Sequence, residues 1–208
     1  MSQRDSVTNN YIRQNRIFAD AFNFFIYGGR QIIDPNSLIE MDTQEIIIPH
    51  NHQTVKKQSI KRTRDLVKLV RVMTNENAAY MILAVENQSH IHYAMPVRVI
   101  MYDSMQYAKQ VQEIVAKRKL LGNQQGLSAD EYLSRFQKSD TIYPVVTLVI
   151  YFEDKEWDGP LSLHEMFQTK DEDLLALVPD YKLNLLAPAS IKDVDFNRFQ
   201  SSLGEVMS

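Results

Sequence analysis

Apolar and polar positions in the middle of the chain predict a β-hairpin. Residues 80–85 form a continuous apolar run, which is typical of a buried strand, and residues 64–73 carry apolar side chains at alternate places. The polar segment 74–77 between them predicts a turn. Because this turn lies roughly midway between Asp65 and Glu86, the hairpin would bring these two carboxylates side by side at its open end.

The spacing of apolar residues also predicts a long helix from Met95 to about Leu121. Pro96 suits the first turn of a helix, and Gly122 is typical of the position just after its end. We predict that an apolar stripe at steps of three and four residues faces the core: Val97, Met101, Met105, Ala108, Val111 and Val115.

The remaining pattern predicts a mixed α/β arrangement on one sheet. A first helix is predicted from near Tyr11, capped by Asn9 or Asn10, to the pair Gly28-Gly29. We also predict a second buried strand at 143–152, an edge strand at 181–186 and short helices at 128–137, 161–167 and 195–206. The length of 208 residues favours a single domain over 1–208, with two small domains as the alternative.

Composition excludes several kinds of site. The chain contains no cysteine, which excludes disulfides and thiolate metal ligands. The longest apolar run, residues 143–152, is too short to span a bilayer, and residues 1–10 lack the apolar centre of a signal peptide. We therefore expect a soluble cytoplasmic protein without a membrane partner.

One local segment is strongly basic, although the net charge of −3 argues against a surface that is positive throughout. Its cations are Lys56, Lys57, Lys61, Arg62, Arg64, Lys68 and Arg71, and Asp65 alone interrupts them. Such a cluster can hold a phosphate backbone, and the alternative is a solvated strand and loop.

The open end of the predicted hairpin carries candidate metal ligands. Glu86 and Gln88 face the same side of their strand because side chains alternate, and Asp65 lies beside them. Two carboxylates, together with the backbone carbonyl of Asn87, suit a hard cation such as Mg²⁺ or Mn²⁺. The alternative is a strand that reaches the surface, with Asp65 paired to a neighbouring arginine.

Many of these residues form a pattern that resembles the Rpn family of recombination-promoting nucleases, also called YhgA-like transposases. This family belongs to the PD-(D/E)XK nuclease superfamily. The matching segments, in order, are residues 18–23, Arg64-Asp65, residues 84–89, 95–98, Tyr102-Asp103, Tyr107, Gln110, and residues 143–151 and 157–163. Together they extend over most of the chain.

The resemblance implies an α/β fold with a restriction-endonuclease-like core, in which a central mixed β-sheet is flanked by helices. It implies metal-dependent cleavage of DNA, with Asp65 as the first metal carboxylate and Glu86 as the acid of the (D/E)-x-K motif. Gln88 stands where the lysine usually is, and an amide can only orient water or phosphate by hydrogen bonds. Asp20 resembles an acidic residue that many superfamily members place near the metal. Family members are often longer, so a C-terminal helical extension is expected to be missing here.

Contacts with DNA are predicted for the basic segment and for the start of the long helix: Lys61, Arg62, Arg64, Lys68, Arg98 and Tyr102. Arg98 and Tyr102 share a helix face, so they can contact phosphate, brace Glu86 or form a structural pair. The string His50-Asn51-His52 is interpreted as unrelated to an HNH nuclease, and His90 and His92 as loop residues.

The leading hypothesis is therefore a Mg²⁺- or Mn²⁺-dependent DNA endonuclease that acts in recombination, transposition or mobile-element defence. Superfamily nucleases often dimerise, so a homodimer is one option. Two alternatives stay open. The first is a catalytically inactive nuclease-fold module that binds DNA or protein, and the second is an RNase that uses the same site.

Overall fold

A mixed five-stranded sheet lies at the centre of the protein. A computed structural model describes residues 3–41, 44–47, 60–63, 65–74, 77–121 and 127–208. The strands of the sheet, in spatial order, are β1 (Ile39–Glu40), β4 (Leu66–Thr74), β5 (Asn77–Gln88), β6 (Val145–Tyr151) and β7 (Asn184–Leu186). The pairs β1–β4 and β4–β5 are antiparallel, whereas β5–β6 and β6–β7 are parallel. Strands β2 (Gln44–Ile47) and β3 (Ile60–Thr63) form a separate antiparallel pair.

The predicted hairpin is confirmed by the pairing of β4 with β5. The register runs from Leu66 opposite Val85 to Thr74 opposite Asn77, and residues 75 and 76 lie outside the described residues. Asp65 directly precedes Leu66, so the open end of the hairpin holds Asp65 beside the end of β5.

Helices cover both faces of this sheet. The α-helices are α1 (Gln3–Arg13), α2 (Asn15–Tyr27), α3 (Met95–Leu121), α4 (Ala129–Ser134), α5 (Glu172–Leu175) and α6 (Leu203–Met207). Short 3₁₀ helices lie at Pro35–Ser37, His164–Met166, Pro188–Ser190 and Asp193–Arg198. None of the described helices is both long and apolar enough to cross a membrane.

The two faces of the sheet carry different cores because side chains alternate along each strand. Leu83 and Val85 of β5 face a cluster that includes Phe18 and Phe22 of α2 and Leu203 of α6. The intervening Ile82 and Ala84 face the other side, where α3 packs against the sheet. The sheet is therefore sandwiched between α1, α2 and α6 on one face and α3 on the other.

The predicted first helix is two helices. Gln14 has an extended backbone (φ −60°, ψ 124°) between α1 and α2, so Asn9 and Asn10 lie inside α1 and cap nothing. Breaking the helix leaves carbonyl groups at the end of α1 without helical partners. The ammonium group of Lys68 donates to one of them, the Arg13 carbonyl, at 2.6 Å. The predicted end is correct: Gly28, at φ 62°, closes α2 in the left-handed conformation.

The predicted bounds of α3 are confirmed in the described residues, and the predicted core face is correct in part, since Met105 is buried and Met101, Ala108, Val111 and Val115 are half-buried. Val97 is 46 % exposed, whereas Met95, Val99 and Tyr102 are buried. Three polar residues share the buried face: Asp103, Gln106 and Gln110. Gln110 is tolerated there because its amide bonds both the backbone N–H and the carbonyl of Tyr143, at the entrance to β6.

The C-terminal region differs from its prediction in detail. The helix predicted at 195–206 is the 3₁₀ helix Asp193–Arg198 followed by α6, with an irregular segment between them. The segment 161–167 contains only the 3₁₀ turn His164–Met166. The predicted edge strand is β7, which pairs with β6 alone.

Candidate functional site

Asp65 and Glu86 come together where β5 ends. The backbone N–H of Asn87, the residue after Glu86, donates a hydrogen bond of 2.9 Å to Oδ2 of Asp65. Asp65 is half-buried in the bend before β4. The hairpin register therefore places Asp65, just before β4, beside the end of β5, the strand that carries Glu86.

Glu86 is a fully buried carboxylate that is compensated by an arginine. Its side chain is 0 % exposed, and Oε2 lies 3.0 Å from Nη2 of Arg98 in the first turns of α3. A buried carboxylate is strongly unfavourable unless it is paired, so the guanidinium accounts for the charge of Glu86 in this structure. Arg98 itself is 31 % exposed and reaches the site from the solvent side.

Tyr102 completes this group one helical turn after Arg98. The guanidinium carbon of Arg98 lies 5.6 Å from the centre of the Tyr102 ring, and Tyr102 is 4 % exposed. Burial of the hydroxyl, together with the negative charge of Glu86, raises the pKa of Tyr102, and Arg98 opposes that shift. The predicted face shared by Arg98 and Tyr102 is thus directed at Glu86.

Asn87 connects the site to the opposite face of the sheet. Its side-chain amide donates to Thr8 Oγ1 at 2.6 Å and to Asn9 Oδ1 at 2.8 Å, both in α1. Its backbone N–H is already engaged by Asp65. Asn87 therefore holds α1 against β5 and Asp65 against the end of the same strand.

Gln88 is the last residue of β5 and is half-buried. It lies opposite Tyr151 in the parallel register with β6. By alternation along the strand it lies on the same face as Glu86, as the sequence predicts.

The placement of Asp20 does not support its predicted role near the metal. Its buried carboxylate accepts hydrogen bonds from the Gln200 N–H at 3.0 Å and from the Ser201 N–H and hydroxyl at 2.8 and 2.6 Å. These donors hold the irregular segment before α6 against α2. Asp20 is an anchor for the C-terminal region.

Lys68 also differs from its prediction as a DNA contact. It is 1 % exposed, and its ammonium group donates to the Arg13 carbonyl and to Asn15 Oδ1 at 2.5 Å, above the ring of Phe18. Burial lowers the pKa of Lys68. It faces the α1–α2 junction, on the side of the sheet away from Glu86, because it alternates with Val67 along β4.

The structure describes only some of the remaining residues of the basic segment. Lys61 and Arg62 belong to β3, where they lie opposite Ile46 and Glu45, and their side chains lie outside the described part of the chain. Arg64 and the string His50-Asn51-His52 also lie outside it. His90 and His92 are exposed in the loop before α3, and Nδ1 of His92 accepts from the Ala94 N–H, as in a turn.

The candidate metal ligands among the described residues are the carboxylates of Asp65 and Glu86. Across the described residues, no group of three or more His, Asp or Glu side chains is arranged to hold a metal ion. Mg²⁺ commonly binds through one or two carboxylates and retains several waters. Asp65 and Glu86 supply such a pair, so their oxygen chemistry suits Mg²⁺ or Mn²⁺.

Sequence reasoning missed the role of Asp103. This buried carboxylate accepts from Thr147 Oγ1 of β6 at 2.6 Å and from the hydroxyl of Tyr181. It fixes α3 to β6 and to the segment before β7, and thereby sets the position of Arg98 on the same helix. The available signal was its spacing from Val99, Gln106 and Gln110, a second stripe on α3 at helical steps.

Comparison of the chain with protein-family models, with curated proteins and with solved structures gives no match.

Proposed function

We propose that the protein is a metal-dependent DNA endonuclease with a restriction-endonuclease-like core, acting in recombination, transposition or mobile-element defence. The observation that carries the proposal is that Asp65 is held beside the end of β5 by a 2.9 Å bond from the backbone N–H of Asn87, the residue after Glu86. The mixed sheet flanked by helices is compatible with such a core.

Asp65 and Glu86 are the residues that would hold Mg²⁺ or Mn²⁺, and the backbone carbonyl of Asn87 is a third oxygen at the same edge. A bound divalent cation polarises a phosphodiester and lowers the pKa of a bound water. Gln88 orients water or phosphate through its amide, which can donate and accept hydrogen bonds but carries no charge.

The direct test is nicking of supercoiled plasmid by the purified protein with Mg²⁺, Mn²⁺ or EDTA. We expect cleavage that needs the metal and that falls at least about a hundredfold in Glu86→Gln and in Asp65→Asn, since each removes a charged ligand. Glu205→Gln, at an exposed position on α6, is the matched control and should cleave like the unaltered protein. A single-stranded RNA substrate in the same assay distinguishes a DNase from an RNase.

A second candidate is a nuclease-fold module that binds DNA or protein without cleaving it. The observation that favours it is the Glu86–Arg98 pair, which already compensates the buried carboxylate. Calorimetric titration with Mn²⁺ separates the two. The nuclease should bind an ion whose affinity drops in both Asp65→Asn and Glu86→Gln, whereas the module should bind none that depends on these residues.

A further inference from the structure

Arg98 is in an unusual position for a simple structural ion pair. Nη2 of Arg98 lies 3.0 Å from Oε2 of Glu86, and the arginine side chain is still 31 % exposed. The buried Nε–H of Arg98 has no hydrogen-bond acceptor among the residues that the structure describes. A buried donor without an acceptor is destabilising, and such a group frequently marks a site completed by a ligand.

The geometry of the guanidinium suits a second anion. Arginine presents five N–H donors in a planar fork, so one edge can stay on a carboxylate while the remaining donors engage another oxyanion. Tyr102 lies against the guanidinium, with 5.6 Å between its ring centre and Cζ of Arg98, and α3 is fixed to β6 through Asp103. The side chain is therefore oriented before any ligand binds.

On the proposed function, the anion that Arg98 would bind is a phosphate of the DNA backbone. Asp65 and Glu86 are carboxylates and Gln88 is neutral, and Arg98 is a cation that the structure places against Glu86. A nucleic-acid phosphate, held at the proposed site by its contacts elsewhere along the backbone, presents oxygens that the free donor of Arg98 can reach.

We infer that Arg98 is a bifunctional residue of the site, which pairs with Glu86 through Nη2 and binds a backbone phosphate of DNA through its remaining donors. This inference deepens the proposed function and rests on it. Arg98 thus supplies, from α3, the positive charge that Gln88 does not supply from β5. A residue that only braces Glu86 would make no contact with DNA.

The test measures binding of a fluorescent DNA duplex in EDTA, so that no cleavage or metal contributes. The key comparison is Glu86→Gln against the double variant Glu86→Gln/Arg98→Met, because removing both members of a buried pair avoids a lone buried charge. We expect the double variant to bind about tenfold more weakly. The slope of log affinity against log salt should fall by about one, as for the loss of one phosphate contact.

Matched variants make the result specific. Arg198→Met removes an arginine that is 56 % exposed and paired with Asp195, and it should leave both affinity and salt slope unchanged. Glu86→Gln/Arg98→Lys should keep the salt slope while recovering part of the affinity, since lysine keeps the charge but loses the fork.

Equal affinity and equal salt slope in Glu86→Gln and Glu86→Gln/Arg98→Met would overturn the inference, as would a complete lack of DNA binding by the unaltered protein. The plasmid assay is independent of this result. If the protein shows metal-dependent cleavage but Arg98 has no effect on DNA binding, the proposed nuclease function is supported and the contact between Arg98 and phosphate is rejected. Binding that depends on Arg98, without cleavage, supports the contact and rejects the nuclease.

Discussion

Glu86 shows how a single residue can be both structurally and chemically constrained. A carboxylate that is 0 % exposed at the end of a core strand needs a positive partner, and the partner is Arg98, twelve positions later on α3. Sequence alone placed Glu86 at the strand end and Arg98 on a shared face with Tyr102. It left open whether a metal ion compensates Glu86 and whether Arg98 braces Glu86 or contacts phosphate, because that depends on how α3 packs against β5.

Lys68 provides a prediction at the residue scale. Lys68→Met should lower the free energy of unfolding by about 1–3 kcal/mol, since it leaves the Arg13 carbonyl and the Asn15 amide oxygen without their donor. Urea denaturation measures the loss. Affinity for duplex DNA should stay unchanged, because the ammonium group is buried at the α1–α2 junction. A clear fall in DNA affinity with unchanged stability would contradict this prediction and would indicate that Lys68 contacts DNA.

Asp20 provides a second prediction at this scale. Asp20→Asn should weaken the attachment of residues 200 and 201 to α2, because the amide carries no charge and one of its two terminal atoms cannot accept a hydrogen bond. We expect faster hydrogen exchange in residues 199–207 and no change in Mn²⁺ affinity. Ser201→Ala, which removes one donor to the same carboxylate, is the matched variant and should act in the same direction more weakly. Reduced Mn²⁺ affinity in Asp20→Asn would return this residue to the metal site.

At the scale of elements, α3 is the part of the fold that positions the most chemistry. Its first turns carry Arg98 and Tyr102, and its middle is joined to β6 through Asp103 and Gln110. The apolar spacing predicted where the helix lies in the chain, but it identified only part of the buried face. Burial follows hydrogen-bond partners as well as hydrophobicity, and the partners, Thr147 and the Tyr143 backbone, are distant in sequence.

The far end of α3 gives a prediction with a pH dependence. The bond from Arg118 to Asp140 holds the pKa of that carboxyl below its ordinary value of 3.8. A carboxyl whose pKa is lowered in the folded state stabilises the protein at pH values above its unfolded-state pKa. This stabilisation is lost as the pH falls through the folded-state pKa. Asp140→Asn should therefore be less stable at pH 7 by about 0.5–1 kcal/mol, and the difference should shrink at an acidic pH below the ordinary carboxyl pKa of 3.8. Urea midpoints at the two pH values provide the check, and an equal difference at both would contradict it.

At the scale of the whole molecule, the parts of the fold that depend on local sequence signals could be predicted. The β4–β5 hairpin, the bounds of α3, the strand β6 and the position of Asp65 beside the end of β5 all follow from periodicity and one turn. The break at Gln14 and the two-part C-terminal region could not be predicted in this way. They depend on Lys68 and Asp20, whose buried charges are satisfied by backbone groups far away in the sequence.

The connection between the two faces of the sheet is also a property of the whole molecule. Asn87 binds Thr8 and Asn9 of α1 through its side chain and Asp65 through its backbone. Asn87 thus joins α1, on one face of the sheet, to Asp65 at the candidate site. Sequence reasoning considered only the carbonyl of Asn87, because nothing local to it shows that α1 packs on its other side.

The central claim is that Asp65 and Glu86 act together on a phosphodiester. The most direct measurement is the initial rate at which supercoiled plasmid is nicked in Mn²⁺ by the unaltered protein and by Glu86→Gln, both shown to be folded by circular dichroism. We expect that the unaltered protein nicks the plasmid and that EDTA abolishes this nicking, and that the rate for Glu86→Gln is at least about a hundredfold lower. Equal rates for the two proteins, or no nicking by the unaltered protein with any divalent metal, would contradict it.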